Sequence, residues 1–592
     1  MLRRLALLLA CAAIHAACGA QPAHGNPLSL RLADGAPTDN CADPAILRAR
    51  DGTDAAWYLY CTTDPIDQRE RDGAGWKFHL MPVFRSTDLV NWRFVGDAFP
   101  SLPALAAPKA GLWAPEPVYV NGRYHLYFSI TDTVDSASPQ PGCDKDSAIA
   151  VATSASPGGP WRTEARLVVA PRRAGPGCEF HWTIDPEVIV AEDGRNYLYY
   201  GSYGGGMFVQ PLSEDGLATS GQATRIGASG RYEGAEVVRH GGKWYLFASA
   251  TDCCNGPLTG YALFVGRADS PTGPFLDRHG NDMASPRAGG TPVLAQNGNR
   301  WVGAGHNTVF QDAGGQWRTI FHAIDREQPF FSARDRLTRR VVLMEPIDWV
   351  DGWPVIAGGA GPSDGPAPAR RQPAQASTLW TDGFGQSRLA PRWRWLRQPA
   401  AGWTAGSGLR LPTQAADLHH DSNNAGILNT ALPARGDYRV ELRMRLDAPL
   451  DCCIQPVQAG LVVYRDDDNY VKLVELAHRG LRQIEFAKEL FPVPADYPRY
   501  GNTVLGPPGD VTWLRLDVHR DGDGERYTAS SSQDGRNWVA GGTWTHRLGK
   551  GARLGLVAMG GAGQQASFAR VAVSRLAGKQ GKSHIGTAQR LP

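Results

Sequence analysis

The sequence predicts an all-β chain: a five-bladed β-propeller followed by a β-sandwich of jelly-roll or concanavalin-like type. Three observations carry this prediction. An aromatic, alternating strand preceded by a two-residue turn recurs five times in the first 360 residues. No stretch of that region keeps the 3.6-residue period of an amphipathic helix. Beyond a Gly/Pro/Ala/Gln-rich stretch, a second set of strictly alternating segments begins.

The five copies are Asp51-Gly52 before Trp57-Tyr58-Leu59-Tyr60, Asn121-Gly122 before Tyr124 to Phe128, and Asp193-Gly194 before Tyr197 to Tyr200. Gly241-Gly242 before Trp244 to Phe247 and Gly314-Gly315 before Trp317 to Phe321 complete the set. Such dipeptides favour φ > 0 and tight hairpins. A short way upstream of each lies a polar residue at the start of an apolar strand. In order these are Asp43, Glu116, Asp185, Glu233 and His306. Four-stranded blades fit this spacing and pack around a central channel. The five upstream residues then belong on the innermost strands and converge at one mouth of that channel.

The propeller is placed at residues 28–357, the linker at 358–377, the sandwich at 378–577 and a disordered tail at 578–592. In the second part, Tyr438 to Leu446 and Trp513 to Val518 alternate as half-buried strands do. Two stacked antiparallel sheets bury such faces. Residues 1–20 read as an export signal: Met1-Leu2-Arg3-Arg4, then the apolar run Leu5 to Ala17. That run is too short to span a bilayer. Ala16-Ala17-Cys18-Gly19 is a candidate lipidation box with Cys18 as the anchor, and cleavage near Ala20 is the alternative. The mature chain is expected to be exported as a monomer: periplasmic, extracellular or lipid-anchored. Its eight remaining cysteines permit disulfides. Cys41–Cys61 and Cys143–Cys178 are plausible pairs, and the doublets Cys253-Cys254 and Cys452-Cys453 can close on themselves or pair elsewhere.

The formal net charge is +3 and charged residues are 20% of the chain, with no clustered basic footprint for nucleic acid. Abundant aromatics suit stacking on the C–H faces of sugars. Carboxylates ringed on one channel suit glycoside hydrolysis, which needs an acid to protonate the leaving oxygen and a second carboxylate to activate water or attack the sugar. The acid needs a pKa raised by burial or a neighbouring anion. An isolated Asp-Pro is ordinarily a strand start, and a lone His is ordinarily a satisfied core residue. Their recurrence in register is what marks Asp43, Glu116, Asp185, Glu233 and His306 as candidates. Glu236 is an alternative acid.

The segments Cys41-Ala42-Asp43-Pro44, Trp113-Ala114-Pro115-Glu116, Thr183-Ile184-Asp185-Pro186 and Tyr232-Glu233-Gly234-Ala235 resemble, in this order, the blade motifs of glycoside hydrolase family 43. Gly305-His306-Asn307-Thr308-Val309 and Asp348 to Pro354 continue the match across 40–356. Within the family, Cys253-Cys254 and Gly305-His306-Asn307 look most like the endo-1,5-α-L-arabinanases. The resemblance implies an inverting mechanism with Asp43 as general base, Glu233 as general acid, and Asp185 orienting Glu233 and raising its pKa. It also implies substrate contacts from Trp113, Glu116, Trp182 and Tyr232, and a Ca²⁺ or other cation in the channel beside His306, usually held through water. Thr381 to Phe384 and Pro391 to Trp395 resemble, more loosely, the concanavalin-like sandwich found behind the propeller in family members. Ala235 stands where arabinanases often have Pro. The insertions Asp67 to Lys77 and Gly142 to Gly177 fall on the rim and leave endo and exo action both open. An exo-acting α-L-arabinofuranosidase or β-xylosidase of the same fold is the nearest alternative. A non-catalytic glycan-binding propeller and a retaining β-fructosidase-like enzyme are the others.

Overall fold

A computed structural model describes residues 25–577 except 39, 51–54, 74, 333–335, 366–374 and 523. The expected export signal with Cys18, the tail and residues 366–374 of the linker lie outside the described residues, as does the Asp51-Gly52 turn. The expected propeller and sandwich are both present. Blade 1 pairs Ala45–Arg48, Trp57–Tyr60, Pro82–Ser86 and Asn91–Asp97, with Ser29–Arg31 added in parallel on its outer edge. Blade 2 starts at Leu112–Val120, blade 3 at Glu187–Val190, blade 4 at Tyr232–His240 and blade 5 at Trp301–Gln311; each is a four-stranded antiparallel sheet. The Asn121-Gly122 and Gly241-Gly242 hairpins place both residues at positive φ, the geometry whose twist matches two paired strands.

Every pair of neighbouring blades shares its own apolar core. Tyr58, Phe99 and Leu126 join blades 1 and 2; Tyr127, Val151 and Leu198 join 2 and 3. Tyr199, Leu246 and Phe264 join 3 and 4, and Phe247, Trp301 and Phe321 join 4 and 5. The ring closes where Trp57 and Trp92 meet Ile320 and Met344. The segment before blade 1 seals this seam. Leu28 N donates to Val342 O (2.9 Å), Cys41 N to Arg340 O (3.0 Å) and Asn26 Nδ2 to Glu345 Oε1 (3.0 Å).

The second part holds two seven-stranded sheets. Tyr438–Asp447 buries every second residue, as its alternation predicts. Tyr438, Val440 and Leu442 face Leu461, Leu473 and Phe486 of the other sheet in one core. The sandwich packs on blade 4. Arg231 Nη1 donates to Gln483 Oε1 (3.0 Å), Asn255 Nδ2 to Tyr500 O (2.8 Å) and Arg482 N to Pro286 O (2.8 Å). The backbones approach so closely that a Cβ on Gly260 would lie 1.8 Å from Asn502 O, so this position admits only glycine. Disulfides join Cys41–Cys61 and Cys143–Cys178, and both Cys-Cys doublets close on themselves.

Candidate active site

Each innermost strand carries, within it or two residues ahead of it, a residue in the left-handed region: Asp43 (φ 49°), Ala114 (47°), Asp185 (58°), Gly234 (58°) and His306 (47°). These are the true equivalents of one another, which corrects the expected register in two blades. Glu116 lies two residues beyond Ala114, and Glu233 one residue before Gly234. The pairing of the first two strands shifts register at Trp113/Glu116 in blade 2, at Glu233/Glu236 in blade 4 and around Gly305/Thr308 in blade 5. Bulges of this kind re-aim a side chain beside a site. Here a bulge puts Glu233 where a strictly periodic strand would have presented glycine.

Hydroxyls on the second strands fasten each opening to its neighbour. Thr62 Oγ1 donates to Asp43 Oδ2 (2.7 Å) and accepts the Ala114 N–H (2.9 Å). Ser129 Oγ accepts Asp185 N–H, and Ser249 Oγ accepts His306 N–H (2.9 and 2.8 Å). Asp185 Oδ2 accepts Gly234 N–H (3.1 Å), and Ser202 Oγ donates to Glu233 Oε2 (2.8 Å). Asp43, Asp185 and Glu233 therefore meet at one mouth of the channel, close enough that Asp43 and Glu233 act on Asp185 and Asp43 acts on Glu233.

The three carboxyls differ in protonation because their partners differ. Burial alone would raise Asp43, but Arg340 beside it, with His306 and His322, holds it well below the usual range. The Arg340 guanidinium bridges Asp43 Oδ1 (3.0 Å) and Asp64 Oδ2 (3.2 Å). Asn40 locks that bridge through Asp64 (2.9 Å) and the Arg340 N–H (2.8 Å). Among the described residues Glu233 has no salt-bridge partner. Burial, helped by the negative charges of Asp43 and Asp252 and opposed by Ser202 and Tyr261, pushes it up to about 7. Asp185 is pushed well up by burial and by the charges of Glu233 and Asp43. His322 Nδ1 accepts the Asp43 N–H (3.3 Å), and burial lowers this ring to about 4, so it stays neutral.

Two expected substrate contacts are corrected. Tyr232 is fully buried, its hydroxyl bound to Gly289 O and its ring against Phe264. Glu116 belongs to a deeper ring. The charges of Glu116, Glu187 and Glu236 act on one another and Glu116 and Glu187 share a hydrogen bond, which groups these three side chains. Glu187 accepts Val237 N–H (3.2 Å) and Glu236 accepts Val309 N–H (2.7 Å) from the next blade. All three are pushed well up by burial, and Glu116 further by Glu236, Glu187 by Glu116 and Glu236 by Glu187. Glu236 ties blade 4 to blade 5 through the Val309 N–H. Trp113 and Trp182 do form a platform, their rings stacked 6.5 Å apart at 24° with Trp182 50% exposed.

The donors around His306 do not fit a directly held calcium ion. Ca²⁺ takes six to eight oxygens, whereas His306 Nδ1 faces Asp43 (3.4 Å), with His322 and the Arg340 cation beyond it. Among the described residues no group of three or more His, Cys, Asp or Glu is placed to hold a metal.

Arg340, Ser202 and Tyr261 carry no sequence motif and were not foreseen. The one signal was Arg339-Arg340, a charged pair at the mouth of the apolar strand Val341–Val350.

The model of glycosyl hydrolases family 43 matches residues 37–354, and that of the β-xylosidase C-terminal concanavalin A-like domain matches 381–574. The chain belongs to glycoside hydrolase family 43. It is similar to the extracellular exo-α-(1→5)-L-arabinofuranosidase ArbA of Cellvibrio japonicus, 28% identical over 351 residues that span 56% of this chain and 90% of that protein. It is also similar to the extracellular endo-α-(1→5)-L-arabinanase 1 of Bacillus subtilis, 29% identical over 281 residues, 46% of this chain and 78% of that protein. Among solved structures, the Cellvibrio cellulosa α-L-arabinanase complexed with arabinohexaose is 25% identical, with a TM-score of 0.43 over 54% of this chain and 96% of that one. This family 43 chain is a glycosidase. Among its described residues no helix is long and apolar enough to cross a membrane.

Proposed function

We propose that this glycosidase hydrolyses α-L-arabinofuranosyl linkages of 1,5-linked arabinan with inversion, acting within the chain. The carrying observation is the opposed protonation of two carboxyls at one mouth: Asp43 ionised against Arg340, Glu233 held up to about 7 without a cation. An ionised carboxylate can draw a proton from water while a neutral carboxylic acid gives one to the leaving oxygen. In this reading Asp43 is the general base and Glu233 the general acid. Asp185, through its bond to Gly234 N–H, fixes the backbone beside Glu233, while burial and the charges of Asp43 and Asp252 keep Glu233 protonated. Thr62 and Arg340 hold the two oxygens of Asp43 in place, and the Trp113–Trp182 platform stacks a sugar face.

Exo action is the second reading, favoured by the rim. The blade 1 insertion reaches blade 5 through Trp76 and Phe331 (5.2 Å), and Phe330 meets Tyr497 of the sandwich (5.2 Å), so three loops wall one side of the mouth. Products from linear 1,5-α-arabinan decide between them. Oligosaccharides appearing first, with the anomeric configuration inverted in the first-formed sugar, support the endo reading; arabinose alone supports the exo one. Retention of configuration would remove the base role from Asp43.

A further inference from the structure

Outside the propeller, the sandwich carries a cleft of about 1010 Å³, at the upper end of the usual range for ligand sites, about 300–1,000 Å³. Its floor is the outer face of the second sheet. Residues 457, 459 and 461 point into the core between the sheets, so Gln458 points outward. Lys472 lies opposite Val462, and Glu485 opposite Val474, on the same outer face.

These three side chains form one chain of hydrogen bonds. Lys472 Nζ donates to Gln458 Oε1 (2.6 Å) and pairs with Glu485 Oε1 (3.0 Å). Gln458 Nε2 donates to Asp417 Oδ2 (2.9 Å), and Tyr500 OH donates to Glu485 (2.8 Å). All three floor residues are at least nine-tenths buried. A floor of this composition is costly unless it is used, because apolar residues would cover the sheet with no desolvation penalty. The Lys472 and Glu485 charges cancel, and burial keeps the His419 ring of the wall neutral. Asp417, whose oxygens are taken up by Gln458 Nε2 and the Leu418 and His419 N–H groups, is the remaining charge of the lining, so an anionic ligand finds no counter-charge. A polyol does find mixed donors and acceptors held in fixed positions. The rim adds apolar surface: Ile454, 82% exposed, follows Cys452-Cys453, while Tyr500 and His419 stand edge to face at 4.5 Å.

The cleft also borders the contact between the sandwich and blade 4. Tyr500 accepts from Asn255, just past the Cys253-Cys254 rim. Gln483, on the same outer face as Glu485, is bound by Arg231, two residues before Glu233.

We infer that this cleft is a second glycan site that holds a neutral pentose polymer, and that it presents the chain to the propeller mouth. The identity of the polymer as arabinan rests on the proposed function; the existence of the site does not. The test uses the full chain in affinity electrophoresis through gels containing linear arabinan, arabinoxylan or xylan. It adds kcat/KM on linear arabinan relative to 4-nitrophenyl α-L-arabinofuranoside. Ile454→Ser and Gln458→Ala are each expected to weaken retention about ten-fold and to lower that ratio about ten-fold. Ile454 lies on the exposed rim, so its variant keeps the test valid if Gln458→Ala does not fold. Equal retention of parent and Ile454→Ser, or a parent retained by none of the three polymers, overturns the inference. A parent that cuts no arabinan, while its variants still lose retention on another of the polymers, overturns the arabinan reading and leaves the site standing.

Discussion

At the residue scale, a single charge separates the proposed base, Asp43, from the proposed acid, Glu233. Arg340 touches Asp43 and does not touch Glu233. The general acid must be protonated, so kcat/KM on linear arabinan is expected to fall as pH rises through about 7, where Glu233 ionises. The base must be ionised, so the acidic limb lies below the usual carboxylate range, where Arg340 holds Asp43. Arg340→Met should move that acidic limb upward and leave the alkaline limb in place; a pH–rate profile whose two limbs both stay put would release Arg340 from this role. Glu233→Gln should cut the rate on arabinan by about 10²- to 10⁴-fold with an unchanged melting curve. Its deficit should shrink on a glycoside whose leaving group needs no proton. Asp43, Asp185 and Glu233 were all legible as residue types in motif context. Arg340 was not, because its partner Asp43 lies 297 positions away, and no local pattern announces such a meeting.

At the scale of the strand, the deeper ring of Glu116, Glu187 and Glu236 ties consecutive blades while remaining neutral. Their folded-state pKa values are raised, so the protons they hold favour the fold fully below the ordinary value of 4.5, and this contribution is lost as pH rises above it. Glu236→Gln should flatten that alkaline decline in melting temperature and keep activity, whereas loss of activity comparable to Glu233→Gln would return the acid role to Glu236. Ser129→Ala removes the acceptor for Asp185 N–H and should cost about 1 kcal/mol in urea unfolding. The periodic strands and their turns were readable from composition and alternation alone. The register was readable in blades 1, 3 and 5, where the opening residue is itself polar. It failed in blades 2 and 4, where Ala114 and Gly234 hold the opening position and the conspicuous Glu116 and Glu233 sit on either side of the bulge. A bulge is an extra residue in one strand and leaves no periodic trace.

At the scale of the whole molecule, propeller and sandwich meet along blade 4. The sequence divided them correctly in kind, and the loops that join them gave no sign of their contacts. Arg231, 1% exposed, spends its guanidinium on Gln483 and on Leu505 O across the boundary. Arg231→Met should therefore loosen the sandwich from blade 4 and split a single calorimetric transition into two. A single unsplit transition would mean that the glycine-lined approach at Gly260 is sufficient by itself.

The seam between blades 5 and 1 sets a schedule for the growing chain. Asn26 waits for Glu345, a partner 319 positions later, and the apolar flank of Trp57 and Trp92 has no cover until Ile320 and Met344 arrive. A ribosome adding roughly 5–20 residues per second leaves that flank open for tens of seconds. Over that interval four finished blades form an arc with two sticky ends, and a second arc nearby offers the same surfaces as the missing blade. Fidelity of assembly thus depends on how thinly such arcs are spread while they are being made.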